Sequence, residues 1–278
     1  MIAATATCPP ACFLIDVTAV LAFDIETVPD AAGIRRLYEL PESLPDEEVA
    51  EIAFQKRRTQ TGSDFLPPQL QRVLVISCVL RDADHVRVWS IGEPVEDERA
   101  AIQRFWDGVE RYVPQLVSWN GGGFDLPVLN YRGLINGVSA PRFWDQGDEN
   151  RDFKWNNYVS RYHSRHLDLM DVLAMYQPRN NAPLDDVAQL AGLPGKIGMS
   201  GGAVWRQYLD GGIERIRNYC EVDSANTYLL YLRFQLLRGA FVAAHYKREC
   251  ALLRGVLEKQ KEPHWREFLG RWDDPLAR

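Results

Sequence analysis

The stretch Leu21-Ala22-Phe23-Asp24-Ile25-Glu26-Thr27 reads as an apolar strand that ends in two carboxylates. Residues Val17 to Phe23 are mostly β-branched or apolar, which suits a strand buried on both faces. Asp24 and Glu26 stand at i and i+2, so in a strand they point to the same side. Two like charges side by side repel and are costly to bury. A divalent cation between them removes that cost, and hard oxygen ligands suit magnesium or manganese. Taken alone, the stretch is equally well satisfied by a strand end with two solvated acids. Further carboxylates have to come from elsewhere in the chain.

Composition sets the frame for that search. A chain of 278 residues that is 46% hydrophobic and 25% charged suits one large globular domain or two small ones. The net charge of −6 argues against a protein that coats nucleic acid through bulk charge, but leaves room for a local basic rim around an acidic site. The cysteines are Cys8, Cys12, Cys78, Cys220 and Cys250. Their odd number and the absence of paired Cys/His knuckles indicate a reduced, cytoplasmic protein without a zinc site. The apolar patch Ala11 to Ile15 has no Lys or Arg before it and Asp16 after it, so it is a poor signal peptide. No apolar run is long enough to span a membrane, and no membrane partner is expected. Residues 1–16 read as a flexible N-terminal tail.

Periodicity and breakers outline the elements. Helices are expected over Ala31–Leu40 and Asp46–Arg58, the latter with Asp46 as N-cap. A polar loop, Thr59–Pro68, leads to an apolar strand, Gln71–Leu80. His85–Ile91 alternates as its hairpin partner, with Arg81–Asp84 as the turn. Glu96–Val113 is an amphipathic helix, Leu116–Trp119 a buried strand, and Phe124–Ile135 a helix. Residues 141–165 have little periodicity. Helices then follow over Asp168–Tyr176, Pro183–Leu193, Ala203–Leu209, Ile213–Arg238 and Phe241–Lys259. The order predicts an α/β fold, a mixed sheet flanked by helices. It is read as one domain, residues 17–240, with a helical C-terminal extension, residues 241–278.

Three acidic signals fall where such a fold could use them. Asn120-Gly121-Gly122-Gly123-Phe124-Asp125 begins as a strand ends and a helix starts, the place where ligands bind in open α/β sheets. Its glycines would let a backbone or phosphate come close; the plainer reading is a strand-to-helix turn with Asp125 favourable to the helix dipole. Within Tyr219-Cys220-Glu221-Val222-Asp223, Tyr219 and Asp223 share a helix face; a core tyrosine beside a solvated acid explains that too. In His166-Leu167-Asp168-Leu169-Met170-Asp171 both acids are well explained as helix N-caps.

Taken in order, Asp24-x-Glu26, Asn120-x-x-x-Phe124-Asp125 and Tyr219-x-x-x-Asp223 resemble the three exonuclease motifs of the DEDD superfamily. Tyrosine four before the last aspartate marks the tyrosine subgroup; the histidine subgroup would carry histidine where Asn218 stands. Phe23-Asp-Ile-Glu-Thr-Val-Pro-Asp30 with Trp119-Asn-Gly-Gly-Gly-Phe-Asp-Leu-Pro127 is most similar to stand-alone predicted 3′–5′ exonucleases related to the proofreading domain of family-B DNA polymerases. The resemblance covers roughly Ala19 to Leu237 and implies a ribonuclease H-like fold. It further implies two divalent cations, Mg²⁺ or Mn²⁺, held by Asp24, Glu26, Asp125 and Asp223. Tyr219 would orient the attacking water, and Phe124 would pack on the terminal base or sugar. Thr27 and Leu126 would line the pocket, and Asn120 would bond the substrate or fix the turn.

The implied activity is hydrolysis of single-stranded DNA, or of frayed 3′ ends, to nucleoside 5′-monophosphates. RNA or short oligonucleotides are the alternative substrates, and a nucleic-acid-binding module without turnover is the alternative outside catalysis. A part in replication or DNA repair would depend on protein partners the sequence does not reveal. Two features bear on substrate grip. Lys196 lies in a loop that could reach a phosphate, or is simply solvated. The segment Arg151 to His166 mixes cations with aromatic rings, as single-strand binders do, and would equally suit a surface hairpin with its rings packed inward.

Overall fold

The computed structural model describes residues 19–277; the N-terminal tail expected over residues 1–16 lies outside them. Long apolar runs make the centre of one sheet. Its strands are β1 (Val20–Pro29), β2 (Gln71–Asp82), β3 (His85–Gly92), β4 (Gln115–Ser118) and β5 (His166–Asp168), in the order β3-β2-β1-β4-β5. β1 runs antiparallel to β2 and parallel to β4, and β4 is parallel to β5. The helices are α1 (Ala31–Tyr38), α2 (Asp46–Thr61), α3 (Glu98–Tyr112), α4 (Asp125–Asn136), α5 (Pro141–Trp144), α6 (Leu169–Leu173), α7 (Leu184–Leu190), α8 (Val204–Leu209), α9 (Ile213–Leu237), α10 (Ala243–Leu257) and α11 (Pro263–Arg271). This is the α/β, ribonuclease H-like mixed sheet flanked by helices that the motif order implies.

Alternation along β1 divides the core in two. Leu21, Phe23 and Ile25 face α3 and α4, in one cluster with Phe105, Trp106 and Leu129. Val20 and Ala22 face α9, in a second cluster with Val222, Tyr228, Tyr246 and Trp265. Asp24 and Glu26 share the parity of Ala22, so β1 presents them on the α9 side. α9 is buried almost all round from Tyr219 to Leu232, because the sheet covers one side and α10 and α11 the other. The sequence pattern suggests an amphipathic helix there; the polar residues within it, such as Ser224 and Asn226, are themselves buried and hydrogen-bonded.

Several boundaries differ from the sequence reading. β1 does not end at the two acids but continues to Pro29, because β2 goes on pairing with it past a register shift between Glu26 and Thr27. The carboxylates therefore sit mid-strand. β5 escapes periodicity because it is three residues long; Asp168 ends it and then caps α6 by accepting from Asp171 N. The helix expected over Asp168–Tyr176 stops early, and Met175 and Tyr176 adopt left-handed φ of 53° and 59°. Asp46 is not an N-cap: Pro45 precedes α2, and the Asp46 carboxylate pairs with Arg35. Residues 151–154 form a 3₁₀ turn, not a hairpin.

One buried ionic network ties these layers together. The Arg132 guanidinium on α4 donates to Asp30 Oδ2 at 2.5 Å and to both Glu98 oxygens at 2.8 and 2.6 Å. Glu98 also accepts from Val73 N on β2. Removing one partner of a buried pair strands the other charges. We expect Arg132→Met to lower the free energy of unfolding by about 3–5 kcal/mol. Urea denaturation would check this, and a loss near zero would contradict it.

Candidate active site

Three elements deliver the acidic residues. β1 supplies Asp24 and Glu26, α4 begins with Asp125, and α9 carries Tyr219 and Asp223 one turn apart. Glu26, Asp125 and Asp223 are buried, while Asp24 keeps partial exposure. β4 pairs with β1 only over Val20–Ala22, so beyond Ala22 that edge of β1 is open. Asp125 fills the opening: its Oδ1 accepts from Ile25 N at 3.2 Å. Glu221 points away from this group, accepting from Ser90 Oγ and lying 2.9 Å from His264 Nε2.

The turn before Asp125 is held from below. Asn120 has a left-handed φ of 69°. Asn120 N and Gly122 N donate to the two oxygens of Asp168, each at 2.9 Å. A Cβ on Gly121 would lie 2.3 Å from Ser118 Oγ, and one on Gly123 would lie 2.4 Å from Asn120 Oδ1. These two glycines thus make room for neighbouring side chains of the turn itself. Ser118 Oγ is in turn bonded to His166 Nε2 at 2.8 Å, and burial pushes that imidazole down to about 4, so it is neutral.

Burial and mutual repulsion set the charge state of the cluster. Asp24 is held well above the usual carboxylate range by burial first, then by Asp125, Glu26 and Asp223. Burial and Asp223 raise Glu26, against the opposing pull of Lys196. Asp125 is pushed up to about 7, chiefly by burial, with backbone hydrogen bonds opposing. Asp223 is pushed up to about 6 by burial, against Lys196 and Tyr219. Burial and the neighbouring carboxylates also raise Tyr219 far above a free phenol, so it stays protonated.

Lys196, for which a solvated position was one expectation, reaches into this cluster. Its Nζ lies 2.5 Å from Tyr219 Oη and 3.6 Å from Asp223 Oδ2. The loop is pinned where Lys196 N donates to Asp185 Oδ1 and where Asn226 brackets Gly195 through its N and O. Cys220 is the residue sequence reasoning missed. Its Sγ lies 3.3 Å from Asp24 O and 3.5 Å from Asp24 Oδ2, and only its place between Tyr219 and Asp223 hinted at it. Asp24, Glu26 and Cys220 form the one close grouping of side chains that could hold a metal ion among the described residues.

The donor set fits hard divalent cations. Burial and adjacent carboxylates raise the Cys220 thiol well above its ordinary range, so without a metal it is a neutral hydrogen-bond donor to Asp24; the carboxylate oxygens are the hard donors of the set. Asp223 Oδ1 is shut off from solvent without a hydrogen-bond partner, a vacancy a cation would satisfy.

The remaining expected residues fall around this centre. Thr27 Oγ1 donates to Gln71 Oε1 at 2.9 Å. The Phe124 ring packs 5.3 Å from that of Phe65, which is itself exposed. Leu126 is buried and lines a cleft with Asn120. In the aromatic segment Phe153 and Tyr158 are buried, with Arg165 stacked 3.9 Å over Phe153, whereas Trp155 and Tyr162 are exposed.

Residues 63–272 match the family described as "Predicted 3'-5' exonuclease related to the exonuclease domain of PolB". The match includes the motifs of Asp125 and Asp223 but begins after Asp24 and Glu26. A DNA polymerase of Archaeoglobus fulgidus is 24% identical over 205 residues, covering 71% of this chain and 25% of the polymerase. The family B DNA polymerase of Pyrobaculum calidifontis is similar with a TM-score of 0.46 and 18% identity, over 87% of this chain and 28% of the polymerase. The chain thus spans about a quarter of the length of these polymerases.

The raised carboxylates make stability depend on pH. Without metal, the folded protein retains protons that the unfolded chain, with ordinary carboxyl values near 4, has already released. That contribution is fully present below about pH 4 and is lost as pH rises through about 6 for Asp223 and about 7 for Asp125. Asp125→Asn keeps an acceptor for Ile25 N and removes one buried charge. In EDTA at pH 8 we expect this variant to melt about 3–6 °C above the parent, the gap closing toward pH 4. Calorimetry across that range would check it; a constant gap would contradict the charge argument.

Proposed function

The chain belongs to the family of predicted 3′–5′ exonucleases related to the exonuclease domain of PolB, and from this membership we propose that it is a metal-dependent 3′–5′ exonuclease. Its substrate is single-stranded DNA or a frayed 3′ end, and its product a nucleoside 5′-monophosphate. The observation that carries this reading is the convergence of Asp24, Glu26, Asp125 and Asp223 from β1, α4 and α9 into one mutually repelling cluster. Fold alone would not suffice, since function resides in the site.

Asp24, Glu26, Asp125 and Asp223 would hold two divalent cations, Mg²⁺ or Mn²⁺. When bound, the cations supply Lewis-acid stabilisation of an in-line phosphoryl transfer. The protein's own groups do the positioning. Tyr219, kept protonated, is unsuited to act as a base. Its oxygen accepts from the Lys196 ammonium and its O–H is hydrogen-bonded to Asp223; exchanging that bond for one to a water or a phosphate oxygen would let it orient the incoming group. Lys196 also places a positive charge beside Asp223, easing the approach of an anionic phosphodiester. The water oxygen bonds to phosphorus and gives up a proton to solvent, the bond from phosphorus to the 3′ oxygen breaks, and that oxygen takes up a proton from solvent. Thr27, Asn120, Phe124 and Leu126 would shape the pocket for the terminal nucleotide. The described cysteines Cys78, Cys220 and Cys250 are free thiols, which supports a reducing, cytoplasmic setting.

A single-stranded DNA oligomer labelled at its 5′ end tests the reading in Mn²⁺, Mg²⁺ and EDTA. A descending ladder that EDTA abolishes is expected, with matched RNA degraded more slowly. Asp24→Ala and Asp223→Ala should each lose about 10³-fold or more in rate while still folding cooperatively. Lys196→Met should lose about 10²-fold in kcat, as when one positioned donor is removed. An intact oligomer in both metals, or undiminished activity in the aspartate variants, would defeat the proposal.

A further inference from the structure

The loop that brings Lys196 to the cluster is shaped by two glycines. In Ala191-Gly192-Leu193-Pro194-Gly195-Lys196, Gly192 and Gly195 hold left-handed φ of 74° and 67°, which glycine adopts readily for want of a Cβ. Each also makes room for a neighbour. A Cβ on Gly195 would lie 2.6 Å from Asp185 Oδ1, and one on Gly192 would lie 2.9 Å from Asp273 O. The first neighbour comes from α7. The second belongs to the segment after α11, which therefore runs directly against the loop.

That segment holds the loop through polar bonds. Asp273 N donates to Gly192 O at 3.0 Å. Arg271 Nη1 donates to Lys196 O at 3.2 Å, and its Nη2 donates to Glu267 Oε1 at 2.5 Å, one turn back on α11. Lys196 thus has its N–H bonded to Asp185 and its carbonyl bonded to Arg271, and a residue fixed at both ends aims its side chain. Arg271 also acts on Asp185. Burial tends to raise that carboxyl, but the Lys196 N–H, Gln189 and the charges of Lys196 and Arg271 keep it below its ordinary range. Asp274, buried, accepts from Arg233 Nη2, which also donates to Ala191 O at 3.1 Å.

α11 takes its position from the helix that carries the site. His264 Nε2, in its first turn, lies 2.9 Å from Glu221 Oε2. Glu221 stands on α9 between Tyr219 and Asp223 and is directed away from them. α9 therefore presents to Lys196 the two groups it meets, and from another face anchors the helix whose end holds Lys196 in place. Such a closed ring of contacts fixes a separation that a loop alone leaves loose.

We propose that Arg271 is a positioning residue: by holding the Lys196 carbonyl to the end of α11, it keeps the ammonium between Tyr219 and Asp223 before substrate arrives. Its effect on rate rests on the exonuclease reading, whereas the placement of the ammonium does not, and two measurements read them separately. Arg271 is exposed, so Arg271→Ala should melt as the parent does. In EDTA, lysine amines are briefly acetylated with acetic anhydride and each site is read by mass spectrometry, with the exposed Lys247 as the reference in the same sample. Lys196 should be acetylated about 3–10-fold faster in Arg271→Ala than in the parent, because local opening sets its access. On single-stranded DNA in Mn²⁺, Arg271→Ala should lower kcat about 5–10-fold with KM unchanged, a slight misplacement of a positioned group being costly to rate. Arg271→Lys, which keeps a charged donor, should recover most of both effects. In a Lys196→Met background, Arg271→Ala should lower kcat no further, as groups that act through one another do not add.

Unchanged acetylation of Lys196 would overturn the proposal. So would an unchanged kcat, or an equal loss of kcat with and without Lys196, which would mark a general structural effect. If the parent hydrolyses no oligomer while the acetylation pattern holds, Arg271 still places the ammonium and the exonuclease reading falls.

Discussion

Repulsion among four carboxylates gathered in a largely buried space is the constraint around which the molecule is built. Each of Asp24, Glu26, Asp125 and Asp223 is raised above its ordinary range, with burial the largest cause. A cluster of this kind persists only if stiff elements hold its members and nearby groups oppose the charge. Both conditions are met. Lys196 provides the cation, Ile25 provides a backbone N–H to Asp125, and the Cys220 thiol lies against Asp24.

The stiffness has identifiable sources. β1 is paired with β2 along its whole length, so Asp24 and Glu26 cannot move without breaking a ladder. α9 is enclosed by the sheet on one side and by α10 and α11 on the other; Tyr246, Trp265 and Phe268 are essentially inaccessible to solvent. The residues following the matched exonuclease motifs therefore contribute to the rigidity of the helix that carries Tyr219 and Asp223. α4 is anchored through Arg132, whose buried ion pairs reach Asp30 and Glu98. Those two acids connect to the end of β1 and to β2, so the network runs close to the same strands that carry the site.

Asp168 illustrates how one side chain serves several purposes. It ends β5, caps α6 and accepts the backbone N–H groups of Asn120 and Gly122. Through those bonds it holds the turn on which Asp125 begins and one wall of the adjoining cleft. A site built this way can be precise even though Asn120 to Phe124 lie outside regular structure, because a buried acceptor replaces the ladder that a strand would supply.

The sequence by itself determined the class of fold, the order of its main elements and which acids could meet. Alternation in β1 puts Asp24 and Glu26 on one side, and helical spacing puts Tyr219 and Asp223 on one face. Both are local periodicities, so they survive without knowledge of the rest of the chain. Family resemblance through the ordered motifs added the expected identity of the cluster. What the sequence concealed depends on contacts between distant residues. β5 is too short to show a period. The extension of β1 past its acids depends on the partner strand β2. The burial of α9 on both sides depends on helices that follow it. Lys196 belongs to a polar Gly-rich loop, and nothing within that loop indicates that Asn226 and Asp185, 31 and 11 residues away, fold it onto Tyr219. Only tertiary structure could decide these points, because a charge is placed and a pKa moved by neighbours in space, and those neighbours come from elements far apart in the chain.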